Sequence, residues 1–161
     1  MVKVLIKKLS PEVEIPLYKT SGASGMDLMA FTNSSIIIKP KSSSIIPTGL
    51  SVAFSEKYEL QIRPRSGLAA KNNISILNTP GTIDSDYRGE IKVIIYNHGN
   101  EDFVIKNKDR IAQIILTPIE KIEFHETAEL PDTIRGEGGF GSTGKWVIDL
   151  IKKKSKDSLD R

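Results

Sequence analysis

Apolar residues along this chain come in short bursts rich in Ile and Val, set apart by clusters of Gly, Pro, Asn, Asp and Ser. The bursts VKVLIK, MDLMAF, SIIIK, SIIPTGLSVAF, YELQIR, ISIL, EIKVIIYN, FVIKN, RIAQIILTPI and IEFHE have the length and composition of strands. Turn signals such as SGASG, KPKSS, NTPG, NHGNED and NKD separate them. Strands at this spacing predict an all-β sandwich or barrel. The one helical candidate is SGLAAKN, residues 66–72. Hydrophobic content falls after about Glu129, which predicts a core over residues 1–129, an arm over 130–144 and a basic extension over 145–161.

At 161 residues the chain fits one domain with a core of ordinary size. Hydrophobic residues at 39% and charged residues at 27% suit a soluble globular protein, and no apolar run approaches the roughly 18 residues of a membrane span. The opening MVKVLIKKLSPEVEIP reads as a strand and holds no signal-peptide core. Cysteine is absent, which excludes disulfides and thiolate metal sites and makes the cytoplasm the expected location. The net charge of +3 changes little, because much of the excess sits in KKKSKDSLDR at the end, a solvated tail. A barrel that binds single-stranded nucleic acid would need aromatic platforms along a basic groove. Aromatics at 6% do not supply them.

RGEGGFGSTGKW, residues 135–146, concentrates five glycines with two hydroxyls, an arginine and a lysine. Such segments wrap phosphate when bare backbone N–H groups turn inward. From Gly139 the sequence fits G-x-x-x-x-G-K but then places Trp146 where a P-loop needs Ser or Thr for Mg²⁺. ETAELPDTI before it is no buried strand, and sixteen residues after Lys145 cannot complete a parallel sheet. A P-loop is excluded; a phosphate-gripping loop and a plain glycine linker both stay open.

Three other places carry polar residues that a β core does not require. Arg65 and Ser66 follow a strand and precede the helical candidate, where N–H groups, hydroxyl and guanidinium make either an anion site or an ordinary Ser cap beside a surface Arg. In NTPGTIDSDYRGEIKV a tight turn at Ser85-Asp86 predicts a hairpin between residues 82–84 and 87–92. That hairpin would bring Tyr87 near Asp84, a carboxylate beside an aromatic platform; an Asx-rich turn is the plainer reading. Gln113 interrupts an apolar strand and reaches either a ligand or a neighbouring strand. His98 and His125 have no partner at metal-ligand spacing and read as non-functional.

Taken in order, SGMDLMA (24–30), PRSGLAAKNNI (64–74), GTIDSDYRGEIKV (81–93), RIAQIIL (110–116) and RGEGGFGSTG (135–144) resemble the five motifs of the homotrimeric dUTPases. The resemblance covers most of the chain; the tail KWVIDLIKKKSKDSLDR extends beyond it. It implies an all-β, jelly-roll-like (β-clip) subunit in a three-fold homotrimer, with active sites shared by three chains and a flexible C-terminal arm. The implied reaction is Mg²⁺-dependent hydrolysis of dUTP to dUMP and pyrophosphate, which keeps uracil out of DNA and supplies dUMP for thymidylate synthesis. Asp84 is implied as the base that activates water at the α-phosphorus, and Tyr87 as the ring beneath the deoxyribose. Asn78, Thr82, Ile83 and Lys92 are implied to read the uracil edge with the hairpin backbone. Arg65, Ser66, Gly67 and Gln113 are implied phosphate ligands, and Asp27 an indirect support of the polyphosphate–metal end.

The glycine-rich stretch thereby acquires a role as a lid. Phe140 is implied to stack on uracil, while Arg135, Ser142, Thr143 and backbone N–H groups such as that of Gly141 close on the β- and γ-phosphates. Glycines suit a segment that is mobile when empty and brings backbone close to oxygen when shut. The Mg²⁺ would be held by triphosphate and water rather than by protein side chains. The sister dCTP deaminases share GTID but carry a catalytic glutamate where this chain has Ile94, which moves no protons.

Overall fold

The computed structural model describes residues 2–139, in two compact units that divide between Lys121 and Ile122. The first unit holds β1 (Leu5–Lys8), β2 (Met26–Met29), β3 (Ile36–Ile38), β4 (Ser43–Pro47) and β5 (Leu50–Ala53). It continues with β6 (Tyr58–Arg63), α1 (Ser66–Asn72), β7 (Ile74–Ile76) and β8 (Gly81–Ile83). It ends with β9 (Lys92–Asn97), β10 (Phe103–Ile105) and β11 (Arg110–Pro118). The sheets run β2-β11-β6-β8, β4-β9-β7, β1-β5 and β10-β3, and every pairing is antiparallel. The fold is all-β with one short helix, as the pattern of bursts predicts.

Alternation makes the core. In β9, Val93, Ile95 and Asn97 point inward while Ile94 and Tyr96 stay half-buried. Leu28, Ile38, Ile46, Ile91 and Ile111 join Val93 and Ile95 in one cluster. Each such side chain contributes about 1.5–3 kcal/mol by leaving water. Asn97 is buried among them without cost in unmade bonds: its Nδ2 donates to Ile38 O at 3.0 Å and Glu101 O at 2.7 Å, and its Oδ1 accepts from Gly99 N at 2.9 Å.

Four local expectations are corrected. SIIPTGLSVAF is two strands, because the chain turns at Gly49 with φ +69°, where a side chain would collide with Val13 and Phe31. The hairpin between residues 82–84 and 87–92 does not form: β8 pairs with β6, whereas β9 lies between β4 and β7. With a partner on each side, β9 has no edge left for β8. IEFHE is not a strand; Ile122 and Phe124 are 74% and 90% exposed. Helix α1 keeps its predicted bounds, but its cap is the extended Arg65, with no side-chain bond, and Ser66 is already helical.

Candidate active site

The segment from Asn78 to Lys92 is held at both ends and open in the middle. Its entry turns through a cis Thr79–Pro80 peptide. Asn78 folds over Gly81, leaving 3.2 Å between its Nδ2 and the place a β-carbon would take. Gly81 is buried, and β8 then runs along β6 with Thr82 opposite Gln61 and Ile83 opposite Leu60. Asp84 emerges from the end of that strand, exposed.

A turn follows, in which Tyr87 N donates to Asp84 O at 3.2 Å. This turn keeps the Asp84 and Tyr87 backbones close, although the flanking strands diverge to different sheets. Arg88 braces the loop by donating from Nη1 to Ser85 O and Tyr87 O at 2.7 and 2.9 Å. The Tyr87 ring folds back across Gly89, and its hydroxyl donates to Glu90 O at 3.1 Å. The loop exit is pinned to the β4–β5 corner: Thr48 Oγ1 donates to Ile91 O at 2.6 Å, Gly49 N to Glu90 Oε1 at 2.8 Å, and Ile91 N to Leu50 O at 2.8 Å. Lys92 stands exposed with its Nζ 3.7 Å from Glu90 Oε2.

A cationic group forms where β2, β11 and the β6–α1 junction meet. Asp27 on β2 is 8% exposed and lies opposite Gln113 on β11. A carboxylate this buried requires positive partners. Arg65 Nε donates to its Oδ1 and Arg110 Nη1 to its Oδ2, each at 3.1 Å. Arg65 Nη1 also donates to Arg110 O at 3.0 Å. Ser66 and Gly67 follow, both exposed, and nothing lies within 4 Å of where a Gly67 β-carbon would be.

The sequence reading missed Arg110 and the tie between the two arginines. A signal was present: Asp27 lies in the apolar run MDLMAF, where a lone carboxylate demands a cation from elsewhere. What hides the partner is a β-bulge between Arg110 and Ala112. It leaves Ile111 and Ala112 both buried, so Arg110 and Gln113 come out on one face despite odd spacing.

In the second unit Arg135 is exposed and donates from Nε to Gly138 O at 2.7 Å. Gly136, at φ +50°, accepts the turn by donating its N–H to Thr133 O and Oγ1. Phe140, Gly141, Ser142 and Thr143 lie outside the described residues. His98 shares a 2.7 Å hydrogen bond with Ser75 Oγ and tilts against the Tyr96 ring. No helix among the described residues is long and apolar enough to cross a membrane.

Comparison with known proteins places these features. Residues 11–144 match the dUTPase family. The deoxyuridine 5'-triphosphate nucleotidohydrolase of Nautilia profundicola is 56% identical over 144 residues, covering 89% of this chain and 100% of that protein. Staphylococcus bacteriophage 80alpha dUTPase with dUPNHPP is similar at a TM-score of 0.75 and 25% identity, over 88% of this chain and 98% of that one. A mutant dUTPase of phage phi11 of S. aureus, described for the coordination of a structural Mg(II) ion, has a TM-score of 0.73 at 20% identity, over 81% and 99%. The match takes in the Asp84 loop, the paired arginines and the glycine-rich arm together, and on that ground the chain belongs to the dUTPase family.

Proposed function

We propose that this dUTPase hydrolyses dUTP to dUMP and pyrophosphate, with Asp84 as the base that activates the attacking water. The observation that carries the assignment of the base is the placement of Asp84. It is an exposed carboxylate at the end of a fixed strand, at the head of a loop whose exit is pinned to another sheet. Asp84 takes a proton from water as the water oxygen bonds to the α-phosphorus, and the bond to the pyrophosphate oxygen breaks. Asn78, Thr82, Ile83, Lys92 and the backbone around them read the uracil edge. The Tyr87 ring lies beneath the deoxyribose and leaves no room for a 2′-hydroxyl.

Phosphoryl transfer depends on position and charge neutralisation more than on covalent help. Arg65, Ser66, Gly67 and Gln113 supply both on the core unit. Arg135, Phe140, Gly141, Ser142 and Thr143 close over the nucleotide from the arm, excluding bulk water. Among the described residues no three His, Cys, Asp or Glu side chains converge as a metal site. Mg²⁺ prefers phosphate oxygens and retained waters to an all-protein cage, so the triphosphate and water would hold it. The ion would supply charge neutralisation on the phosphates, and Asp27 would contribute indirectly through its arginines.

The working form is a homotrimer whose sites combine three chains. A bare apolar surface beside the recognition loop supports this: Ile45 and Leu77 are 59% and 55% exposed, next to Ile94 on the outer face of β4-β9-β7. In the second unit Ile122 and Phe124 are exposed as well. A cytoplasmic place of action belongs to the same reading, as a chain without cysteine suits a reducing compartment.

The test is Asp84→Asn, which keeps the shape and removes the base. Nucleotide binding and assembly should persist while kcat falls by about 10² or more. A variant that keeps more than about a tenth of the wild-type kcat against that ~10² minimum removes Asp84 from the role.

A further inference from the structure

Glu90 makes contacts in three directions from the exit of the recognition loop. Its carbonyl accepts the Tyr87 hydroxyl at 3.1 Å, and its Oε1 accepts the Gly49 N–H at 2.8 Å. Its Oε2 lies 3.7 Å from Lys92 Nζ. Gly49 is buried at φ +69°, and a buried N–H needs an acceptor. A neutral amide oxygen would serve that N–H as a carboxylate does. The negative charge therefore exceeds what Gly49 requires, and Lys92 is the cation it meets among the described residues.

Folding does not account for this charge pair. The Glu90 and Lys92 side chains are 20% and 53% exposed, and a pair in that range adds little to stability. Its placement says more. Burial alternates through Glu90, Ile91 and Lys92, which sets the two charged residues on the same side of the chain, astride a buried one. Ile91 is bonded to Leu50 through its N–H and to Thr48 through its carbonyl. The Glu90 carboxylate is thus fixed by its backbone and by its tip. The flexible stem of Lys92 sweeps through many rotamers unless something holds its end.

We propose that Glu90 is a positioning residue for base recognition: its carboxylate, anchored on the Gly49 N–H, holds the Lys92 ammonium at the uracil edge. The proposal rests on the reading that Lys92 faces the base. An ammonium only donates, and the uracil carbonyl oxygens only accept, so direction is what the lysine has to be given. Holding it in place before the nucleotide arrives removes the entropic cost of ordering a long side chain. The corner between β4 and β5 thereby reaches the base through Glu90, although neither strand touches it.

The experiment measures competitive inhibition by dUMP and by inorganic tripolyphosphate, which has no base. The proteins are wild type, Glu90→Gln, Glu90→Asp, Lys92→Met and the Glu90→Gln/Lys92→Met double variant. Glu90→Gln keeps an acceptor for Gly49 and removes the charge. It should weaken dUMP by about 3- to 10-fold, less than a lost charged hydrogen bond costs, and tripolyphosphate by less than about twofold. The double variant should bind dUMP no worse than Lys92→Met, since both changes act through one ammonium. Additive losses in the double variant, equal losses for the two ligands, or no loss in Glu90→Gln overturn the proposal. Should Glu90→Gln not fold, Glu90→Asp decides, because its shorter side chain cannot reach Gly49 and Lys92 together. A selective loss of dUMP there supports the proposal, and no loss overturns it. Lys92→Met separates the two levels: unchanged dUMP binding in it removes Lys92 from the base, and with it the reading beneath this proposal. A loss in Lys92→Met with none in Glu90→Gln removes Glu90 alone.

Discussion

A methyl group placed on Gly89 would lie 2.5 Å from Cζ and 2.9 Å from Cε2 of Tyr87. No side chain other than hydrogen lets that ring fold back across residue 89 and reach the Glu90 carbonyl. The position of the Tyr87 ring is thus set by the residue two places after it, whose own side chain is a single hydrogen. Tyr87→Ala should erode the preference for dUTP over UTP, because a cavity admits the 2′-hydroxyl that the ring rejects. Gly89→Ala should erode it too, and should add nothing in a Tyr87→Ala background, since both act through one ring. The ratio of kcat/KM for the two nucleotides in all four proteins checks this. Independent, additive losses would mean that Gly89 serves the backbone and not the ring.

At the scale of elements, the recognition loop depends on two sheets at once. Its entry belongs to β8 and β6, and its exit to the β4–β5 corner. Thr48, 1% exposed, ties that corner to Ile91 through its hydroxyl. Thr48→Val keeps the volume and leaves the Ile91 carbonyl without its partner. It should cost about 1–3 kcal/mol in denaturant unfolding at fixed protein concentration. KM for dUTP should rise with kcat less affected, because the loop loses its position and Asp84 stays on its strand.

These elements also mark where the sequence was informative. SGLAAKN was legible as a helix because it is a short run of helix formers, and Asn73 just after it takes the φ +56° that ends the helix. The alternation in EIKVIIYN and MDLMAF was legible because burial on one face imposes it. Which edge a strand would take was not legible, since β8 suits β6 or β9 equally in composition. The Asp27 tie was hidden for a related reason: Arg65 and Arg110 are 38 and 83 residues distant from it in sequence. Only the three-dimensional pairing of β2 with a bulged β11 brings them together. The turn at Ser85-Asp86, by contrast, was readable from local turn chemistry, although the hairpin expected around it does not form.

The whole molecule, on the trimeric reading, works only when chains supply one another. A subunit truncated after Pro131 lacks Arg135 and the glycine-rich arm but keeps every strand described above. A full-length Asp84→Asn subunit has the arm but no base. Each should be inactive alone, and co-refolded mixtures should recover part of the wild-type rate through sites that take the base and the arm from different chains. Confirmed subunit exchange with no recovered activity would show that the arm is not donated between chains. Light scattering of an active species at 17.8 kDa would remove the shared site altogether.

Strand β11 is bonded to β2 on one side and β6 on the other, whereas β8 has three residues and a single partner. Of the residues assigned to phosphate, Gln113 sits on a strand held on both sides, whereas Asp84 follows directly on a short strand held on one. Local opening draws on the weakest hydrogen-bonded edges first. As conditions approach denaturation, β8 with the Asp84 that follows it should therefore open before the middle of β11 that carries Gln113. On the proposed assignments, uracil selectivity, which draws on Thr82 and Ile83 of β8, should then be lost before affinity for phosphate.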